Sequence, residues 1–119
     1  MSAFTFQDTP YYQKSLDFFA WSKQLIAELP ASHSEEKNQL NRASSSITYT
    51  FAEGYGRYHK REKQNFYVIS RGSVFECVAV IDSLLKVKAI NETKYMEGIE
   101  QLVELSKMIS GLINAMNSH

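Results

Sequence analysis

Residues 39–76 read QLNRASSSITYTFAEGYGRYHKREKQNFYVISRGSVFE, and this stretch decides the fold. On both sides of the Gly54–Gly56 tripeptide, apolar or small residues recur at intervals of three and four, which is the spacing of one buried helix face. Polar, charged and glycine residues stand where a plain bundle would carry leucine. Such residues cost helix or packing free energy, so we expect each to have a specific purpose.

The chain of 119 residues is predicted to form one all-α domain over residues 1–119. No window alternates between apolar and polar residues over the length of a strand, whereas helical periodicity is clear. It predicts helices over about residues 10–28, 33–56, 61–88 and 92–116. Short connections favour antiparallel packing of sequential helices. The expected fold is therefore an antiparallel up-down-up-down four-helix bundle.

Several residues are predicted to begin or end these helices. Pro10 suits a first helical position, and Asn91 is a good N-cap. Ser32 with Glu35 has the spacing of a capping box before the second helix. The glycines at 54–56 are expected to stop that helix by supplying a left-handed residue.

Overall charge and apolar content limit the function classes. The 13 Lys and Arg residues balance the 13 Asp and Glu residues, so the whole chain has no general attraction for nucleic acid or acidic membranes. The longest apolar run, Cys77–Ile81, is far shorter than the roughly twenty residues of a bilayer span, and no secretion signal is seen at the N-terminus. Cys77 is expected to be a small core residue. We predict a cytoplasmic protein with no membrane partner.

An approximate register follows if the second and third helices are antiparallel about the turn near Tyr58. Facing residue numbers then sum to about 117, with an error of several residues. This brings Arg42 opposite Glu76, and the two form either a bidentate ion pair or two solvated charges. Glu53 lies near Lys63 in the same register. The small residues brought together are Ser44, Ser45, Gly72 and Ser73.

The first helix carries more apolar surface than one core contact uses. At 100° per residue its aromatic and aliphatic side chains spread over roughly 220°, and a core stripe needs only a little over 100°. We expect the second apolar face to mediate self-association; the alternative is a monomer in which an N-terminal arm with Phe4 and Phe6 covers it. The expected interface residues are Tyr11, Phe18, Trp21 and Leu25.

The turn between the second and third helices is basic and aromatic. Five Lys or Arg residues lie between Arg57 and Arg71 against one acid, Glu62, with rings interleaved. Basic groups with stacking rings are typical of single-stranded nucleic-acid binding, although a solvated turn with buried rings has the same composition. The candidate RNA-binding residues are Arg57, His59, Lys60, Arg61 and Lys63.

No catalytic, metal or cofactor site is predicted. The three histidines, His33, His59 and His119, lie far apart and lack metal-ligand spacing. Gly54-Tyr55-Gly56 is a lone G-x-G with no strand before it, which is too little for a phosphate loop. We therefore expect a protein that is not an enzyme.

The same stretch resembles the four-helix-bundle proteins encoded within intervening sequences of bacterial 23S ribosomal RNA genes. The family pattern is Q-x-x-R-A-x-x-S-I, I-A-E-G-x-G-R, a phenylalanine and A-R-G-S-x-x-E. Departures are Thr48 and Thr50, where the family commonly has proline and asparagine, and Ser70 in place of alanine. The matching residues are Gln39, Arg42, Ala43, Ser46, Ile47, Ala52, Glu53, Gly54, Gly56, Arg57, Phe66, Arg71, Gly72, Ser73 and Glu76.

The resemblance implies a left-handed bundle that assembles as a homo-oligomeric ring, typically a pentamer, with RNA binding as the usual suggestion. A more distant similarity is to the accessory variability protein of diversity-generating retroelements, which is strongly basic where this chain is neutral. Two functions follow: an RNA-associated module using the basic turn, or a scaffold that presents the acidic fourth helix (Glu92, Glu97, Glu100 and Glu104) to a protein partner. The expected assembly motif is Arg42, Glu53, Gly54, Arg71, Gly72, Ser73 and Glu76.

Overall fold

A computed structural model describes residues 2–117. Four helices make up most of it: α1 (Pro10–Glu28), α2 (Ser34–Tyr55), α3 (Lys60–Lys86) and α4 (Glu92–Asn117). Short 3-10 turns, Thr5–Asp8 and Ala31–His33, precede α1 and α2. Each helix begins and ends within two residues of its predicted bounds. No strand occurs over residues 2–117, which confirms the all-α class.

Hydrogen bonds between α2 and α3 define their relative direction. Ser70 Oγ donates to the Ile47 carbonyl at 2.7 Å, and Ser73 Oγ donates to Ser46 Oγ at 2.8 Å. Residue numbers fall along α2 as they rise along α3, so the two helices are antiparallel. The predicted register is correct at Ser70 but shifts slightly at Ser73, which was assigned to Ser44 or Ser45.

The other neighbouring helices are antiparallel as well. Between α1 and α4, Lys14 pairs with Glu104 at 3.0 Å, and the Trp21 indole donates to Glu97 at 3.0 Å. Contacts between α1 and α2 and between α3 and α4 also join residues whose numbers rise along one helix as they fall along the other. These pairs are Lys23 with Asn41, Ser15 with Thr48, Tyr95 with Asp82 and Arg71 with Ser110. The four helices therefore run up-down-up-down; the left-handed sense stays a prediction.

The core follows the apolar stripe of each helix and has an aromatic cluster near the α2–α3 turn. Phe51 lies between Tyr11 and Tyr67, with ring centroids 5.0 Å and 5.2 Å away. The buried hydroxyl of Tyr11 is hydrogen bonded to Ser70 Oγ at 2.8 Å. Cys77 is fully buried, and burial raises the pKa of its thiol, so it is a core residue and a poor nucleophile.

Two of the predicted capping interactions of α2 are wrong, although its bounds agree with the prediction. His33, rather than Ser32, is the N-cap of α2, and its side chain makes no capping hydrogen bond. Gly56 has a φ of −77°, so α2 does not end at a left-handed glycine. The N-cap of α4 is confirmed, since Asn91 Oδ1 accepts the Lys94 backbone N–H at 2.8 Å.

The expected free apolar face on α1 is absent, because α1 packs against α2, α4 and the N-terminal 3-10 turn. Of the four predicted oligomer contacts, Tyr11, Phe18 and Leu25 are no more than 3% exposed within the single subunit, whereas Trp21 is only partly buried. The Phe6 ring lies 4.9 Å from the ring of Tyr12 and covers part of the remaining surface. Contacts with α2, α4 and the N-terminal 3-10 turn thus cover much of the wide apolar arc of α1.

Candidate functional site

Arg57 is at the centre of the basic turn, but its charge is already paired. Its guanidinium contacts Glu53 at 2.6 Å and Glu62 at 3.6 Å. It also lies over the Phe66 ring, 4.7 Å from the centroid. Glu53, which the approximate register placed near Lys63, pairs with Arg57 just after the end of α2. Two carboxylates therefore face Arg57 and offset part of its positive charge within the turn.

Lys63 is likewise turned toward the protein. Its ammonium donates to the Tyr55 carbonyl at 2.5 Å and lies 5.3 Å from the centroid of the Tyr55 ring. The carbonyl is one of the last of α2, where cations are favourable. An ammonium has three N–H donors, so Lys63 retains capacity for a further anion.

The outer part of the turn is open. Tyr58 is 97% exposed, and the next three residues, His59, Lys60 and Arg61, are exposed as well. The predicted nucleic-acid-binding residues thus fall into two groups. Arg57 and Lys63 contact other residues of the turn. The Tyr58 ring and the side chains of His59, Lys60 and Arg61 at the tip of the turn face solvent.

The motif glycines have opposite surroundings. A β carbon added to Gly54 would meet the Phe66 β carbon at 2.6 Å, so this glycine allows α2 and α3 to approach closely. A β carbon added to Gly72 would meet nothing within 4 Å. Packing within the subunit therefore explains Gly54 and leaves Gly72 without a structural purpose.

The charged motif residues do not form the predicted ion pair. Arg42 donates to Gln39 on its own helix at 2.7 Å, and within residues 2–117 it makes no salt bridge to Glu76. Both side chains are exposed, which is the solvated alternative. Arg71 instead donates to Ser110 on α4 at 2.9 Å and stacks on Phe75, 4.6 Å from its centroid.

An apolar surface lies on the outward side of α3. Val68, Ile69 and Phe75 are 52%, 50% and 51% exposed, and Gly72 lies between them. This surface was not predicted from the sequence. The signal was present, because Val68, Gly72, Phe75 and Ala79 recur at helical spacing on the side of α3 opposite Val74, Cys77 and Ile81. We call Val68, Ile69, Gly72, Phe75 and Ala79 the α3 outer face.

The acidic fourth helix is partly neutralised by neighbours. Glu104 pairs with Lys14, and Glu97 accepts the Trp21 indole and contacts Lys94 at 3.6 Å. The Trp21 hydrogen bond, with Lys94 nearby, lowers the pKa of Glu97. Over residues 2–117 no group of three potential ligands could hold a metal ion, and no helix is long and apolar enough to cross a bilayer.

The arrangement of these helices defines the class of protein as an antiparallel four-helix bundle with an exposed apolar helix face. The chain belongs to the 23S rRNA-intervening sequence protein family, whose family model matches residues 7–111. The resemblance seen in residues 39–76 is thereby confirmed.

A solved structure supports the same fold. It is a protein of unknown function from the S23 ribosomal protein family of Bacteroides thetaiotaomicron, 18% identical to this chain, with a TM-score of 0.80. The alignment covers 87% of this chain and 97% of that one. At this identity the likeness concerns the fold alone. No curated protein matches the sequence.

Proposed function

We propose that this chain is a non-enzymatic homo-oligomeric assembly unit whose subunits contact one another through the α3 outer face. The observation that carries the proposal is Gly72 together with the exposed Val68 and Phe75 about one helical turn on either side of it. A glycine inside a helix is about 1 kcal/mol less favourable than alanine, and nothing in the subunit lies within 4 Å of the place where a β carbon would stand. A neighbouring helix that approaches the backbone closely would need that space.

The residues around Gly72 are suited to such a contact. Val68 and Phe75 offer half-exposed apolar surface in one row with Gly72, Ile69 is half-exposed beside them, and exposed patches of this kind mark interaction sites. The Arg71 guanidinium stacks on the Phe75 ring, which restricts the ring before any partner binds. Less side-chain freedom is then lost on association.

The occupant that fits best is a second copy of this chain. The exposed side of α3 carries Arg61 near its start and Glu76 and Asp82 in its second half, before Lys86 in the last turn. Two copies in a head-to-tail arrangement, as a ring requires, would bring unlike charges together beside the apolar residues. A pentameric ring, as the family resemblance implies, is the expected assembly.

The test is the mass of the particle in solution. Sedimentation equilibrium at micromolar concentration should give a multiple of the 13.6 kDa subunit, and Phe75→Glu should reduce it to one subunit. Val103→Glu is the matched control, since Val103 is 46% exposed on α4, away from the face. A 13.6 kDa wild type, or equal effects of both variants, contradicts the proposal.

RNA binding at the turn is a second candidate function, favoured by the exposed Tyr58 ring beside Lys60 and Arg61. A ring would present this tip several times and multiply weak contacts. Fluorescence anisotropy with a structured RNA should show affinity that falls steeply with salt. Tyr58→Ala with Arg61→Gln should weaken binding at least tenfold, and Lys86→Gln should have little effect. Absence of binding at low salt rejects the idea and leaves a protein-interaction scaffold.

A further inference from the structure

An apolar cavity lies at the end of the bundle where the α2–α3 turn meets the start of α1 and the last turns of α4. Its volume is about 240 Å³, and its lining is almost wholly apolar. An open groove of about 490 Å³ adjoins it, because Tyr67 and Leu112 line both. Six residues form most of the cavity wall: Tyr11, Phe51, Tyr55, Tyr67, Met108 and Leu112.

The polar atoms of the cavity wall are largely engaged already. The Tyr11 hydroxyl is bonded to Ser70, and the Tyr55 hydroxyl lies 2.9 Å from Thr5 Oγ1. Thr9 Oγ1 donates to the Phe6 carbonyl at 2.7 Å. A ligand with a polar edge, such as a nucleobase or a sugar, would lose its hydrogen bonds to water here without replacement. The wall therefore favours an alkyl chain.

The mouth of the site has the opposite character. Lys60 and Lys63 line the groove together with Tyr67, Leu112, Ala115 and Met116. Lys63 uses one donor on the Tyr55 carbonyl and has others to offer an anion. The acid nearest in sequence, Glu62, is directed to Arg57 at 3.6 Å. Burial, with Tyr55 nearby, raises the pKa of Tyr67, so its phenol stays neutral beside a bound anion.

We propose that this cavity and groove bind a medium-chain alkyl carboxylate, with the chain among the aromatic residues and the carboxylate at Lys60 and Lys63. Size supports a chain of moderate length. The cavity volume of about 240 Å³ is several times the roughly 30 Å³ that one water takes in the liquid, so there is room for a short alkyl chain. A carboxylate beside an ammonium forms charge-assisted hydrogen bonds, which are stronger than neutral ones. The site is independent of the α3 outer face.

Titration of the full chain with octanoate, followed by isothermal calorimetry and by amide NMR shifts, tests the proposal. Octanoate should bind with a Kd of about a millimolar or tighter, and butyrate should bind at least tenfold more weakly because it buries fewer methylene groups. Octanol should also bind more weakly than octanoate, since it lacks the charge. No octanoate binding, or AMP bound more tightly than octanoate, overturns the proposal.

Two sets of variants separate the tail from the headgroup. Met108→Trp and Leu112→Trp should each fill the cavity and weaken octanoate binding at least tenfold. Leu112→Trp should disturb core packing less, because Leu112 is 39% exposed. Met96→Trp, at an exposed site elsewhere on α4, is the control. Lys60→Gln with Lys63→Gln should weaken octanoate about tenfold and leave octanol unchanged, whereas Lys86→Gln should change neither. Unchanged octanoate affinity in the folded cavity or lysine variants contradicts the assignment.

Discussion

A β carbon added to Gly54 would stand 2.6 Å from the β carbon of Phe66, so the end of α2 rests directly against the start of α3. The same β carbon would lie 3.1 Å from the ring of Tyr67. Interiors are packed too tightly to absorb such an atom without movement. This approach sets the position of Tyr67, which stacks on Phe51 and forms a wall of the end cavity.

Gly54→Ala should therefore destabilise the protein although alanine is the better helix former. We expect the free energy of unfolding in urea to fall by about 1–3 kcal/mol, as for other overpacked core sites. Gly111→Ala is the control, because a β carbon there meets nothing within 4 Å. It should stabilise α4 by up to about 1 kcal/mol. Equal stabilisation by both changes would show that α2 and α3 are less closely packed.

A second prediction concerns the buried hydroxyls of Tyr11 and Ser70. Ser70→Ala removes the partner of a buried phenol, which should cost about 1–3 kcal/mol of unfolding free energy. Tyr11→Phe with Ser70→Ala should cost less than the sum of the single changes, because no buried hydroxyl is left unpaired. Ser83→Ala, at an exposed serine of the same helix, should change stability by less than about 0.5 kcal/mol. Additive losses would contradict the pairing.

A third prediction uses the single tryptophan, Trp21, whose indole N–H binds Glu97. The pKa of the Glu97 carboxyl is lower in the folded protein than in the unfolded chain. The contact therefore contributes its full stabilisation at pH values above the unfolded pKa, and this stabilisation is lost as the pH falls through the folded pKa. Trp21 fluorescence should change with a midpoint below the ordinary glutamate value of about 4.3. Glu97→Gln should abolish this transition, and Glu100→Gln should preserve it. A midpoint at or above the ordinary value counts against the contact.

Helix positions follow from the sequence because apolar spacing and a few boundary residues determine them locally. Pro10 begins α1 and Asn91 caps α4 as predicted. Three of the four residues predicted as an interface on α1, Tyr11, Phe18 and Leu25, are buried because of contacts that the sequence of that helix does not show. An apolar arc does not reveal how many neighbours cover it, and Phe18 faces the core because α1 contacts two helices and an N-terminal turn.

The candidate site depends on register more than on periodicity. Each residue turns a helix by about 100°, so a shift of a residue or two decides whether a charge meets a partner. Arg57 was counted as a ligand-binding cation, yet Glu53, one helical turn away, pairs with it. Gly72 was taken as part of a small-residue contact with α2, while the structure turns it outward.

The most direct test of the central claim is the mass of Gly72→Trp by sedimentation equilibrium, beside Gly111→Trp. Both glycines lie on exposed helix surface where an added β carbon meets nothing within 4 Å, so both positions leave room for a side chain to begin. Assembly through the α3 outer face predicts that wild type and Gly111→Trp share one multiple of 13.6 kDa and that Gly72→Trp is a folded 13.6 kDa particle. If Gly72→Trp keeps the wild-type mass, the α3 outer face does not hold the subunits together.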